Sequence, residues 1–98
     1  MSVDRAVKTI SLVTGTVTSC TANTTVERDF AVAANILVAG DMIVGVNKPT
    51  HQAGLGIVGA RVKDALTIAI TYGNYTGSGI VPTDETYLIF VARPLLAA

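Results

Sequence analysis

The chain has 98 residues, of which 50% are hydrophobic and 14% are charged, and its formal net charge is zero. This length predicts a single domain, and the balanced charge offers no basic surface for nucleic acid or for an anionic membrane. The single cysteine, Cys20, excludes an intramolecular disulfide framework and is expected to be a half-buried residue without catalytic function. A surface with so few charges favours association, so we expect a homo-oligomer or a component of an assembly.

The first third of the chain is predicted to be extended. Residues 1–8 are a candidate N-terminal arm, and residues 7–17 are the first predicted strand, with both faces mixed in polarity. That mixture is typical of an edge strand, or of a segment whose second side packs on a neighbouring subunit. The threonine-rich residues 16–25 disfavour helix and are expected to form a strand edge and a loop. Residues 26–32 are predicted to be a strand with Arg28 near its solvent end.

The middle of the chain is predicted to contain three consecutive strands. Each is a short run of apolar and branched residues, and the three runs are 41–46, 57–62 and 66–71. A short polar break separates the last two runs, which predicts a hairpin. Alternation with a period of two in the last run places Leu66, Ile68 and Ile70 on the core face and leaves small or hydroxyl side chains on the other face.

The connections and the C-terminal end complete the predicted architecture. Residues 33–40 are interpreted as a connection, with one helical turn as the alternative. The glycine-rich residues 73–79 predict a surface loop, and residues 86–92 predict a final buried strand. The apolar residues 94–98 are a candidate contact tail. Six to eight short antiparallel strands without a convincing helix predict an all-β domain, either a β-sandwich or a jelly-roll-like barrel.

No catalytic, cofactor or metal site is predicted. The glycines around Gly54 lack the spacing and the following helix of a dinucleotide site, and His51 has no neighbouring ligand at metal spacing. No apolar run approaches the ~20 residues that span a bilayer, and the N-terminus lacks a secretion signal, so we expect an unprocessed intracellular product. The three tyrosines, Tyr72, Tyr75 and Tyr87, could bind a ligand only if they cluster at the surface.

The order of turns and strand residues over roughly residues 25–94 resembles that of small virion proteins of tailed bacteriophages, of the capsid decoration or cement type. The residues that carry the resemblance are Asn47-Lys48-Pro49-Thr50, Gly54-Leu55-Gly56-Ile57, Ala60-Arg61-Val62, Leu66-Thr67-Ile68, Gly73-Asn74, Pro82-Thr83 and Thr86-Tyr87. The resemblance implies a β-sandwich, often trimeric, which binds the major capsid protein on the outside of the head. It implies a protein made in the bacterial cytoplasm that has no catalytic residue.

Candidate contact residues come from the arm, the loop after residue 47 and the tail. They are Val3, Arg5, Val7, Lys48, His51, Gln52, Leu55, Leu95 and Leu96. Two alternatives share the same fold: a head-fibre or tail-associated module, and a receptor- or carbohydrate-binding domain. An enzyme is the class that the sequence favours least, and no cofactor is expected.

Overall fold

The computed structural model describes residues 5–94, which form six β-strands in two antiparallel sheets. The strands are β1 (Arg5–Val13), β2 (Thr24–Ala31), β3 (Met42–Asn47), β4 (Leu55–Asp64), β5 (Thr67–Asn74) and β6 (Thr86–Pro94). The first sheet has the order β1-β6-β3, and the second sheet has the order β2-β5-β4. The predicted all-β fold is therefore confirmed, and its two-sheet form is that of a small sandwich.

Most strand pairs join segments that are far apart in the sequence. Among the six strands of residues 5–94, only β4 and β5 are both consecutive and paired, as the predicted hairpin requires. β6 lies between β1 and β3, and β5 lies between β2 and β4. The three predicted strands in the middle of the chain are consequently divided, because β3 belongs to the first sheet whereas β4 and β5 belong to the second.

The core lies between the two sheets and is built mainly from their central strands. Side chains from both sheets form one buried apolar cluster, whose members are Ile10, Leu12, Val17, Cys20, Phe30, Leu37, Ile68, Ile70, Tyr72, Tyr87, Ile89 and Val91. A fully buried aliphatic or aromatic side chain of this size contributes about 1.5–3 kcal/mol through the hydrophobic effect. Cys20 is completely buried rather than half-buried, and burial raises the pKa of its thiol.

Several predicted details of the strands are wrong. β1 ends at Val13 rather than at residue 17, and Gly15 two residues later has a φ of +64° that favours glycine. Leu66 is in the β4–β5 turn instead of the core, and it is 53% exposed because its N–H donates to the Asp64 carboxylate in the turn. Residues 33–40 form turns without a helix, as their interpretation as a connection predicted.

Arg28 also departs from its prediction, since it lies in the middle of β2 and not at a solvent end. It is opposite Ile70, on the register that faces the core, and its guanidinium donates to the carbonyl of Ser19 at 2.9 Å. Lys8 occupies the equivalent inward register of β1 and donates to the carbonyl of Ile36. Inward charges on edge strands oppose edge-to-edge pairing, so this side of the sandwich is protected from strand addition.

The candidate arm and tail fall only partly within the described residues. Residues 5–8 belong to β1 and pair with the end of β6, with Arg5 opposite Pro94. The remainder of both segments, including Val3, Leu95 and Leu96, lies outside the described residues, as do the side chains of Arg5 and Pro94.

Candidate functional site

The β3–β4 loop (residues 48–54) is attached to the connection between β5 and β6. The ammonium of Lys48 lies 3.0 Å from the carboxylate of Glu85, and both side chains are only 11% exposed. The side-chain amide of Gln52 donates to the carbonyl of Val81 and accepts from the N–H of Thr83, each at 2.9 Å. Two predicted contact residues, Lys48 and Gln52, thus hold the loop in place within this domain.

Glu85 is the anionic centre of this attachment. Burial acts to raise the pKa of its carboxyl, but a hydrogen bond from Thr50 and the Lys48 ammonium outweigh burial and hold the pKa below its ordinary value. The Lys48 ammonium forms an ion pair with the Oε2 atom of Glu85, but the two groups are not aligned as a hydrogen bond. The carboxylate is therefore charged at neutral pH, and the loop needs no partner to fix its conformation.

A groove of about 320 Å³ runs along this loop and the start of β4. Four of the predicted contact residues line it together: Lys48, His51, Gln52 and Leu55. His51 is exposed, whereas Leu55 is half-buried and packs against the core cluster. Of these four, His51 is the side chain most available to a partner.

Residues 7–13, 42–47 and 86–92 place no charged side chain on the outer face of the first sheet. The antiparallel register places on it Val7, Thr9, Ser11, Val13, Met42, Gly45, Asn47, Thr86, Leu88, Phe90 and Ala92. We call this surface the uncharged face. Val7 is 64% exposed, Val13 is 70% exposed and Met42 is 50% exposed, so large apolar groups at its margins are open to solvent. Val7 is one of the predicted contact residues.

A glycine lies at the centre of the uncharged face. Phe90 on β6 is opposite Gly45 on β3, and a Cβ at Gly45 would lie 3.3 Å from the Cδ2 atom of the phenyl ring. The ring can lie against the backbone of β3 because the position has no side chain. Leu88 and Phe90 are half-buried on this face, and a β-bulge that contains the exposed Val44 lies next to Gly45 on β3.

The outer face of the second sheet has the opposite character. Arg61 donates two hydrogen bonds to Glu27, at 2.9 and 3.0 Å, and Lys63 lies 2.7 Å from Asp29. Both pairs join the edge strands β2 and β4 across the central strand β5, where Ala69 is fully buried. The hydrogen bonds from Arg61 lower the pKa of Glu27. We call this surface the charged face, and such exposed pairs suit contact with water.

The three tyrosines do not form a surface patch. Tyr72 and Tyr87 are fully buried, and their hydroxyl oxygens are 2.9 Å apart between the two sheets. Burial raises the pKa of both phenols. Only Tyr75 is exposed, with its hydroxyl over the backbone of Gly73. The aromatic platform that a carbohydrate-binding domain would require is therefore not built by these residues.

Two further buried polar residues were not anticipated from the sequence. The Asp41 carboxylate accepts two hydrogen bonds from Arg93, at 2.8 and 2.9 Å, and a third from the N–H of Val38. The Arg93 hydrogen bonds are the main reason that the pKa of Asp41 is lowered. Asn74 is fully buried, donates to the carbonyl of Cys20 and accepts from Thr76. Both residues join loops to strands and have structural roles.

Comparison with known proteins adds no relative: no protein-family model, curated protein or solved structure matches the chain. Within residues 5–94, no three histidine, cysteine, aspartate or glutamate side chains are grouped so that they could hold a metal ion. The same residues contain no helix long and apolar enough to cross a membrane.

Proposed function

We propose that this protein is a non-enzymatic structural protein of a tailed-bacteriophage virion, a decoration or cement protein that binds the outer surface of the head. The observation that carries the proposal is the amount of exposed apolar surface on a small domain. Among the side chains that the structure describes, nine large apolar ones are at least half exposed: Val7, Val13, Val38, Met42, Val44, Val58, Leu66, Tyr75 and Val81. Three of them, Val7, Val13 and Met42, border the uncharged face together with the half-buried Leu88 and Phe90, and a contiguous apolar patch of this kind marks a contact with another protein.

Stabilisation of the shell would follow from mass action. A protein that binds the assembled shell, and not its separated subunits, shifts the equilibrium towards the shell by an amount that grows with its free concentration. The fold suits this role because both sheets are held by one core and the β3–β4 loop is held by the contacts of Lys48 and Gln52. Little conformational entropy would then be lost when the domain binds.

The groove along the β3–β4 loop is the surface that we assign to the major capsid protein. His51 and its neighbours Pro49 and Thr50 are exposed at this loop, and the buried contact between Lys48 and Glu85 fixes the backbone behind them. A pre-ordered loop with exposed polar groups beside a groove of mixed polarity is suited to a specific contact. An oligomer would present more than one such loop, and multivalent binding would strengthen attachment to a repetitive shell.

The decisive measurement is the number of copies of this chain for each copy of the major shell protein, obtained by quantitative mass spectrometry of purified particles. A ratio near one, or a simple fraction, is the expected result for a protein that covers the head. A few copies in each particle would support the head-fibre or tail-associated alternative. Absence from particles would refute every virion role.

The contact surface can be tested by adding the purified chain to particles that lack it. His51→Asp should reduce the bound copies, because it places a charge in the contact without altering the core. The matched control is Thr18→Asp, which introduces the same charge at an exposed position in a different loop. Equal binding by both variants and the unaltered chain would remove the β3–β4 loop from the proposed contact.

A further inference from the structure

We propose that the uncharged face is a contact between two copies of this chain, in which the same face of each copy packs against the other across a two-fold axis. The inference deepens the proposed function, because it names the partner of one surface of the decoration protein. It rests on the proposed function only for the biological setting of that contact. The contact would be isologous, so that each residue of the face meets the corresponding surface of the second copy.

The distribution of charge favours a second copy as the occupant. A partner that brought charged groups onto this face would have to leave them without counter-ions, because the eleven residues of the face include no acidic or basic side chain. The charged face of the same domain would be such a mismatched partner, with Glu27, Asp29, Arg61 and Lys63 exposed. An identical uncharged face meets the requirement, and every copy of the chain carries one.

The shape and chemistry of the face are suited to packing of sheet on sheet. Phe90 lies against Gly45 at the centre, while Val7 and Met42 stand at one end and Val13 stands at the other. Two such surfaces can interdigitate in the manner of the two sheets of a sandwich, about 10 Å apart. Among the remaining side chains, Thr9, Ser11 and Thr86 carry hydroxyls and Asn47 carries an amide, and these groups can form hydrogen bonds without a charged partner.

The size of the face indicates a contact that depends on concentration. Seven residues of β1 span about 24 Å, and three strands cover a width of about 14 Å, which gives a planar footprint of about 340 Å² for each copy. A standard stable interface buries about 800 Å² of each partner, so this contact belongs with small interfaces. We therefore expect a dimer with a micromolar dissociation constant, formed by domains that are already folded.

Sedimentation equilibrium of the purified full chain tests the inference directly. We expect the mass to rise from that of the 10.1 kDa monomer towards twice that value as the concentration increases into the range of about 200 µM. Thr9→Lys on the edge strand β1 and Thr86→Lys on the central strand β6 each place two like charges in a two-fold contact. Each should weaken the dimer at least about tenfold. Because β6 has no free edge, the second variant separates face packing from edge-to-edge strand pairing.

The matched control is Thr25→Lys, the same substitution at an exposed outward position of β2 on the second sheet. It should change the dissociation constant by less than about twofold, since surface substitutions away from a contact have small effects. The thermal melting of all three variants confirms that they are folded. A monomer throughout the concentration range, a trimer, or a dimer that the Thr9 and Thr86 variants leave intact would overturn the inference.

The outcome is distinguishable from that of the proposed function. A chain that dimerises through this face but is absent from particles keeps the interface and loses the virion role. A chain that is abundant in particles but monomeric in solution, with particle binding unaffected by Thr86→Lys, keeps the virion role and loses the interface.

Discussion

The hydrogen bond between Tyr72 and Tyr87 provides the sharpest test of how the two sheets are joined. The residues are on the central strands of different sheets, their side chains are fully buried, and their hydroxyl oxygens are 2.9 Å apart. Neither hydroxyl has another hydrogen bond within the described residues. The perturbation is a double-mutant cycle that consists of Tyr72→Phe, Tyr87→Phe and the combined variant.

The expected magnitudes follow from the cost of an unpaired buried hydroxyl. Either single substitution removes one partner and leaves the other without a hydrogen bond, which costs about 1–3 kcal/mol in the free energy of unfolding. The double variant removes both hydroxyls, so no polar group is left unpaired and its cost should stay within about 1 kcal/mol. With each single near 2 kcal/mol, the coupling energy between Tyr72 and Tyr87 should be about 3 kcal/mol.

Urea unfolding, followed by circular dichroism, measures each free energy provided that all variants share one m-value. A loss of about 2 kcal/mol should also lower the melting temperature by roughly 8–15 °C in a domain of this size. The control is Tyr75→Phe, because Tyr75 is exposed and its hydroxyl makes no hydrogen bond within residues 5–94. Its effect should stay within about 0.5 kcal/mol.

Additive losses would refute the reasoning. If the double variant loses as much as the sum of the two singles, within about 0.5 kcal/mol, the hydroxyls of Tyr72 and Tyr87 do not depend on each other. Their stabilisation would then come from separate partners, and the contact between the sheets would be apolar only.

Three further predictions concern other positions. Asp41→Asn should destabilise the protein at neutral pH and should reduce the loss of stability on acidification. The hydrogen bonds from Arg93 lower the pKa of Asp41, so the charged carboxylate stabilises the fold above about pH 4. This stabilisation is lost as the pH falls through the lowered pKa. Acid unfolding curves that coincide for both proteins would contradict this. Gly54→Ala should lower the free energy of unfolding in urea by about 2 kcal/mol or more, because Gly54 has a φ of +80° and an added Cβ would lie 2.2 Å from a threonine methyl group. The control is Gly77→Ala, which should be nearly neutral because the space around Gly77 is open. Equal effects would show that the loop rearranges freely. Cys20 should react with a thiol reagent far more slowly in the native protein than in urea, because its thiol is buried and its pKa is raised; similar rates would contradict the burial.

Local patterns in the sequence were sufficient for the fold class and for most strand positions. The alternation of Ile68 and Ile70 with smaller residues identified β5, and the polar break before it identified the hairpin with β4. Leu66 was placed wrongly because the alternation continues into the turn, where the Asp64 carboxylate captures the backbone of Leu66. Arg28 was placed wrongly because a charged residue on an apolar register is usually taken to be near solvent, yet here it faces inward and donates to Ser19.

The candidate surfaces were only partly predictable. The loop that carries His51 was identified from its polar and proline-containing sequence, but its attachment to Glu85 joins residues 35 or more positions apart. The two sets of alternate residues in β1 were visible in the sequence, and nothing local indicated that Val7 and Val13 would face outward. The pair of buried tyrosines had one signal, namely that each falls within a run of otherwise apolar strand residues.

The sequence by itself determined that this chain is extended, where most of its strands lie and how few charges it exposes, because backbone preferences and alternation act over a few residues. Only the tertiary structure decided that β3 pairs with β6, that β4 and β5 belong to the other sheet, and that one outer face is uncharged while the other carries ion pairs. Those properties depend on which distant strands become neighbours and in which register. That choice is made by the packing of Tyr72, Tyr87 and the surrounding apolar side chains into one core, and a period of two along any single strand is the same for either face.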